Sequence, residues 1–106
     1  MDAWFELLPK LRELERLDDA DAAKRIYSFA RWCWEQPDHQ NAVAVAFYEH
    51  LVDDEVTRRR IPERLTRPEV FRDLIPLFRQ RLEQKQFRQL LEDYDSCHKT
   101  RFTSTS

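Results

Sequence analysis

The chain contains no glycine among its 106 residues, and this absence constrains the possible fold more than any other feature. Tight β-hairpin turns and phosphate-binding loops depend on glycine, because glycine adopts positive φ angles and lets a ligand approach the backbone closely. Neither a Rossmann fingerprint nor a P-loop can be written without it. We therefore predict helices joined by polar or proline-containing connections, and not a small β-sandwich.

The length of the chain fits one domain with a single modest hydrophobic core. Hydrophobic residues make up 42% of the chain and aromatic residues 12%, which is too apolar a composition for intrinsic disorder. After residue 95 the composition turns to Ser, Thr, Lys and Arg. We predict one helical domain at residues 1–95, followed by a poorly ordered polar tail at residues 96–106.

Apolar residues recur at spacings of three and four, which is typical of amphipathic helices. This pattern predicts helices near residues 3–16, 20–35, 67–82 and 84–95. The apolar stripe of the first helix consists of Trp4, Leu7, Leu8, Leu11 and Leu14. The apolar face of the second consists of Ala23, Ile26, Phe29, Ala30 and Cys33.

Prolines and polar residues predict where these helices begin and bend. Asp18 or Asp19 can cap the second helix. Thr66 and Glu69 form a capping-box pattern with Pro68 in the first turn. Two further prolines, at positions 9 and 76, are expected to kink or divide their helices.

The stretch at residues 41–51 has the longest apolar run, because residues 42–48 are apolar without interruption. The alternation of Val43, Val45 and Phe47 also fits a strand. Three alanines, the length and the lack of partner strands favour a helix. We predict an all-α, single-domain bundle of five or six helices with this buried helix at its centre. Residues 52–65 then form the longest connection, with a short helical turn near residues 55–60.

The N-terminus and the cysteines bear on the compartment. Residues 1–6 have no basic segment before an apolar run, and no run approaches the roughly 20 residues that span a bilayer. Cys33 and Cys97 are the only cysteines, and we interpret both as free thiols. These features predict a cytoplasmic protein that does not bind membranes.

Few residues have the spacing that metal binding or catalysis requires. His39 and His50 share a helical azimuth, but eleven residues at about 1.5 Å each separate them by about 16 Å, too far to share one ion. His50 with Glu49 and Asp54 is the one compact acid-base group, and such groups are more often surface ion pairs than general bases. We predict no enzyme activity, no metal and no cofactor.

Charge is divided unevenly along the chain. Residues 1–57 hold 13 acidic and 6 basic residues, whereas residues 58–106 hold 12 basic and 7 acidic residues. Two interpretations fit: the halves attract one another inside the fold, or one of them forms a docking surface.

Two groups of residues are candidates for docking. Trp32 lies off the main apolar stripe of its helix and is either an exposed anchor or a cover for a neighbouring helix; tryptophan and arginine are enriched at binding hot spots. The first group, predicted to bind a partner protein, is Trp32, Glu49, His50, Asp53, Asp54 and Glu55. The second group, a basic cluster that could contact the phosphates of a nucleic acid, is Arg58, Arg59, Arg60, Arg64 and Arg67.

The segment at residues 27–51 carries a resemblance to known proteins. It includes Phe-Ala-Arg-Trp-Cys at residues 29–33 and AVAFYEHL at residues 44–51. With the acidic residues 53–55, the proline-containing segment 71–78 and Leu-Leu-x-x-Tyr at residues 90–94, it resembles a family of small helical bacterial domains of unknown function. Some members resemble immunity proteins of toxin systems, and no catalytic residues are established for the family.

The resemblance implies a helical fold and a bacterial, cytoplasmic origin. Together with the candidate residues it predicts a non-catalytic, protein-binding module of the immunity-protein or adaptor kind. Its partner would be a toxin or another basic protein. The acidic surface, formed by Glu49, Asp53, Asp54 and Glu55, would attract such a partner. The alternative is a nucleic-acid-binding accessory protein that uses the basic cluster.

Overall fold

The computed structural model describes the backbone of residues 3–105 and the side chains of residues 6–103. Within this range the chain forms six α-helices and two 3-10 segments, and no strand occurs there. The helices are α1 (Ala3–Arg16), α2 (Ala20–Trp34), α3 (Gln40–Ala46), α4 (Glu55–Arg64), α5 (Pro68–Arg81) and α6 (Gln84–His98). The 3-10 segments are Tyr48–Asp53 and Phe102–Thr105. The predicted all-α bundle is confirmed.

The helices enclose one hydrophobic core. α1 packs against α2 and α4, α4 also packs against α6, and α5 packs against α6 and the first 3-10 segment. The core includes Leu8, Leu11 and Leu14 of α1, as the spacing predicted. The side chain of Trp4 lies outside the described residues. The largest fully buried apolar side chains are Tyr48, Tyr94, Phe47, Phe71, Phe78, Leu11, Leu51, Ile61, Leu74, Val43 and Val52.

The central stretch is not one helix, and the prediction of a continuous helix at residues 41–51 is wrong. α3 ends at Ala46, Phe47 has φ −119° and ψ −67°, and a 3-10 segment follows. Phe47, Tyr48 and Leu51 are fully buried, whereas Val45 is 48% exposed. A 3-10 segment places residues i and i+3 above one another. The tighter turn therefore directs Tyr48 and Leu51 into the core together.

The predicted connection at residues 52–65 is mostly α4, with Pro62 inside the helix. Two side chains of α6 contact backbone carbonyls at the end of this helix. The Tyr94 hydroxyl donates to the Leu65 carbonyl over 2.6 Å, and His98 Nε2 lies 2.5 Å from the Pro62 carbonyl. These contacts give carbonyl groups at the C-terminal end of α4 partners that the helix itself does not supply. The dense charge and Pro62 indicate a connection when only neighbouring residues are considered. The support for α4 comes from residues about 30 positions away, so local patterns do not reveal it.

The capping prediction for α5 is also wrong. The helix begins with Pro68, so Arg67 is the N-cap residue, and no side chain caps the helix by a hydrogen bond. Proline suits the first helical position because the missing N–H would have no partner there. A capping box does occur at α6, between Glu83 and Gln86. Pro9 and Pro76 lie inside α1 and α5 without dividing them.

α6 extends to His98, three residues beyond its predicted end. Asp95 then accepts hydrogen bonds from the hydroxyl of Thr100, from the backbone of Phe102, and from both the backbone and the hydroxyl of Thr103. The Phe102 ring lies 5.4 Å from that of Phe71. The domain boundary at residue 95 and the poor order of residues 96–106 stay predictions.

The cysteines are free, as predicted, with Cys33 buried and Cys97 exposed. Among residues 3–105 the structure contains no helix with the length and apolar character needed to cross a membrane.

Candidate functional site

Helix α2 turns an aromatic pair outward. Asp19 caps the helix by accepting from the Ala22 N–H, and the residues of α2 that face the core are Ala23, Tyr27, Ala30 and Cys33. Phe29, which the apolar pattern assigned to this face, is 46% exposed, and Trp32 is 55% exposed. Their rings are stacked, with centroids 6.5 Å apart and an interplanar angle of 14°.

Arg25 shares the outward face with the two rings. Arg25, Phe29 and Trp32 follow at spacings of four and three, which places them on one side of an α-helix, and all three are exposed. We call these three residues the aromatic stripe. Sequence reasoning found Trp32 but missed Phe29 and Arg25, although the i, i+4, i+7 spacing of the three was a signal that could have found them.

The predicted acidic surface is held by internal ion pairs, beginning with Arg81 of α5. Both Asp53 carboxylate oxygens bind Arg81, at 2.6 and 3.1 Å, and His50 Nδ1 lies 2.9 Å from Asp53. Glu49 lies 3.5 Å from the same guanidinium. Burial alone would raise the pKa of Asp53, but the hydrogen bonds from Arg81 and His50 outweigh it and lower the pKa.

Asp54 has a structural role at the start of α4. It accepts hydrogen bonds from the Thr57 backbone N–H at 3.1 Å and hydroxyl at 2.8 Å, and it pairs with Arg16 of α1 at 2.8 Å. Burial opposes the ionised form, yet the bonds from Thr57 and the charge of Arg16 lower the pKa of Asp54. Within the part of the chain that the structure describes, Glu55 pairs only with Arg59, one turn along α4, and both side chains are mostly exposed. Glu55 is therefore the carboxylate of this surface most available to a partner.

The predicted basic cluster does not form one surface. Arg60 pairs with Asp18 at 2.8 Å, and Arg58 donates to the Val52 carbonyl. Arg64 binds both oxygens of Glu15 at 2.8 and 3.1 Å, and their side chains are 3% and 0% exposed. These pairs support the interpretation that the acidic and basic halves attract one another inside the fold.

Four arginines of the cluster line two different concavities. Arg58 and Arg59 line a groove of about 480 Å³ together with Lys85 of α6. Arg64 and Arg67 line a separate cavity of about 270 Å³, which we call the basic cavity. Its other wall comes from α2.

The predicted site residues are thus distributed over several parts of the surface. The interactions found for Trp32 in the described part of the chain are with Phe29 and Gln36, and none joins it to the acidic residues. The described residues contain no group of three or more His, Cys, Asp or Glu side chains placed to hold a metal ion.

The fold and its sites define a small all-α domain with exposed aromatic and charged surfaces. The chain belongs to a family described as a domain of unknown function (DUF7674), whose sequence model matches residues 1–72. The match covers α1 to α4 and the start of α5, and so includes the aromatic stripe, the acidic surface and the basic cluster. Comparisons with curated proteins and with solved structures find no significant match.

Proposed function

We propose that this protein acts by stoichiometric binding to a partner protein, not by catalysis, and that the aromatic stripe contacts the partner. The observation that carries the proposal is the stacked pair of Trp32 and Phe29, which are 55% and 46% exposed. Most other aromatic side chains with described burial lie in the core or pack against it. The exposed part of each ring is apolar surface in contact with water, and burying it against a partner surface is favourable.

The geometry of the stripe suggests the shape of the partner surface. Phe29 and Trp32 are apolar anchors three residues apart on one helix face, a spacing that fits an apolar groove as in known helix-in-groove complexes. Stacking restricts both rings before binding, which reduces the entropy lost when they are immobilised. Arg25 at the N-terminal end of the stripe favours a carboxylate at the edge of the groove, because guanidinium binds carboxylate with two parallel hydrogen bonds.

The resemblance of residues 27–51 to helical bacterial domains supports a toxin as the partner and the bacterial cytoplasm as the location. The acidic surface contributes chiefly through Glu55, since the other carboxylates bind arginines of α1 and α5, whereas Glu55 makes an exposed ion pair within its own helix. An exposed charge at the rim of an interface mainly changes the association rate.

The test uses the full chain to capture a partner from the native host, followed by calorimetry with that partner after purification. Trp32→Ala is expected to weaken binding by about 30-fold or more, because hot-spot truncations cost about 2 kcal/mol or more. Leu17→Ala is the matched control, since Leu17 is apolar, 69% exposed and outside the stripe. Equal affinity of Trp32→Ala and the control would exclude the stripe as the binding surface.

Glu55→Lys tests the acidic surface separately. It removes an exposed i,i+4 pair that contributes little to stability, whereas substitution of Asp54 would remove a helix cap. A slower association rate that recovers at high salt is the expected result for a basic partner. An unchanged rate would exclude a steering role for Glu55.

A second candidate function is nucleic-acid binding, favoured by the groove that brings Arg58 and Arg59 beside Lys85. It predicts a gel shift of duplex or single-stranded polymer at low salt, with steep salt dependence. Arg58→Gln/Arg59→Gln would abolish the shift. Absence of any shift with the unaltered chain at low salt would remove this candidate.

A further inference from the structure

The basic cavity lies between α2, Tyr48 and the segment that joins α4 to α5. Its volume is about 270 Å³. From α2 come Lys24, Tyr27, Ser28 and Arg31. The end of α4 supplies Glu63 and Arg64, and the segment that joins α4 to α5 supplies Leu65, Thr66 and Arg67. No sequence signal marked this cavity, because its walls are about 35 to 40 positions apart in the chain.

The charge of the lining is predominantly positive. Four cationic side chains face one carboxylate in the wall, and Arg64 already has Glu15 as its partner. The ion pair of Arg31 among the described residues is an exposed 3.7 Å contact with Glu35, and such exposed pairs contribute little. Within the described part of the chain, Lys24 and Arg67 make no ion pair. Both are exposed, so their positive charge is available to a ligand at the mouth of the cavity.

Two tyrosines also line the cavity, and the hydroxyls of both are buried. Tyr27 is 5% exposed and Tyr48 is fully buried, and neither hydroxyl has a hydrogen-bond partner among the described protein atoms. Burial, reinforced for Tyr27 by the Glu15 charge, raises the pKa of both phenols, so each carries its proton at neutral pH. Buried hydroxyls normally have a hydrogen-bond partner, because a buried hydroxyl without a hydrogen bond destabilises the fold.

We propose that the basic cavity binds a small oxyanion, either a phosphate or a carboxylate, between Lys24 and Arg67, with the tyrosine hydroxyls as additional donors. Phosphate and carboxylate share the chemistry that guanidinium and ammonium groups recognise. The volume lies just below the range of about 300 to 1,000 Å³ common for ligand sites, which fits a small metabolite better than a nucleotide. This site is independent of the aromatic stripe, which occupies another face of α2.

The test titrates the full chain with inorganic phosphate and, separately, with citrate, in low-salt buffer, by calorimetry and by chemical shifts of the backbone near Tyr27 and Tyr48. Saturable binding at up to millimolar concentration is expected for at least one of the two anions. The tighter of the two identifies the class of ligand. Lys24→Gln/Arg67→Gln is expected to weaken that binding about tenfold or more, since each lost charged hydrogen bond is worth roughly this factor.

The matched control is Arg72→Gln/Arg88→Gln. It removes the same charge from two exposed positions outside the cavity. The ion pairs that the structure describes for these two arginines are long and exposed. Lys24→Arg/Arg67→Lys retains the charge and is expected to retain binding. No saturable binding of either anion, or an equal loss in both double Gln variants, would overturn the site.

Tyr48→Phe provides a second test. It deletes a hydroxyl without a protein partner, so the melting temperature is expected to stay equal or rise, while the affinity for the anion falls. Unchanged affinity in this variant would overturn the part assigned to the Tyr48 hydroxyl. Trp32→Ala should leave anion binding unaltered, so failure of this proposal can be distinguished from failure of the proposed partner binding.

Discussion

At the scale of single residues, the pair of Glu15 and Arg64 joins the acidic half of the chain to the basic half inside the core. Arg64 donates to both carboxylate oxygens, and this bonding raises the pKa of the Arg64 guanidinium. The sequence indicated attraction between the halves without identifying the partners, and it placed Arg64 in a surface cluster. Burial of such a pair gives little net stability, but loss of one member leaves a buried charge uncompensated.

We expect Arg64→Met to lower the free energy of unfolding by about 3 to 5 kcal/mol, because Glu15 would remain buried without a counter-charge. Glu15→Leu/Arg64→Met should recover most of this loss, since no charge remains in the core. Urea denaturation measures both values. Arg59→Met, at an exposed ion pair, serves as the control and should change stability little. If Arg64→Met lowered the free energy of unfolding as little as the control does, the buried role of the pair would be contradicted.

At the scale of elements, α4 shows how distant contacts create a helix where local signals predicted a connection. Asp54 caps its beginning and also binds Arg16 of α1, while Tyr94 and His98 of α6 bond to carbonyls at its end. Pro62 opposes a helix locally, and few apolar residues mark its buried face, so packing of α4 against α1 and α6 determines its structure. Most helical stability in proteins comes from such packing.

Asp54→Ala is expected to destabilise the chain by about 1 to 2 kcal/mol, the upper part of the range for lost N-caps. It also leaves the buried Thr57 hydroxyl without its acceptor. Asp19→Ala removes a cap that accepts one backbone N–H, so its cost should be smaller. Urea midpoints of the two variants provide the comparison. Equal losses of stability in the two variants would mean that the contacts of Asp54 with the Thr57 hydroxyl and with Arg16 add nothing to the cap.

At the scale of the whole molecule, carboxylates connect separate segments of the chain, some of them far apart in sequence. Asp53 binds Arg81, Asp54 binds Arg16, and Asp95 binds the residues that follow α6. Burial disfavours ionised Asp95, but the hydrogen bonds from Thr100, Thr103 and Phe102 lower its pKa. Protonation of these three carboxylates would therefore weaken contacts across much of the described chain.

Acid should destabilise the fold for this reason. A carboxylate whose pKa is lower in the folded than in the unfolded chain stabilises the fold fully above the unfolded pKa, about 3.9 for aspartate. This stabilisation is lost as pH falls through the lower, folded pKa. Urea unfolding at a series of pH values should thus show stability falling below about pH 5. Asp95→Asn should show a shallower fall, and a slope identical to that of the unaltered chain would contradict the role of Asp95.

The sequence by itself determined the fold class and most helix positions. The absence of glycine and the three-and-four spacing of apolar residues act locally, so α1, α2, α5 and α6 follow from neighbours along the chain. The sequence also predicts a cap at Asp18 or Asp19, because a helix cap depends on residues next to the helix end. Trp32 could be identified as a candidate because it departs from the main apolar stripe of its own helix.

Only the tertiary structure decided what depends on residues far apart in sequence. It ended the central helix at Ala46, turned Phe29 outward and Tyr27 inward, and made α4 a helix. It also divided the predicted basic cluster between a buried pair, a groove and the basic cavity. Side-chain spacing defines which residues share a face, but packing against other helices selects the face that is buried and the charges that meet.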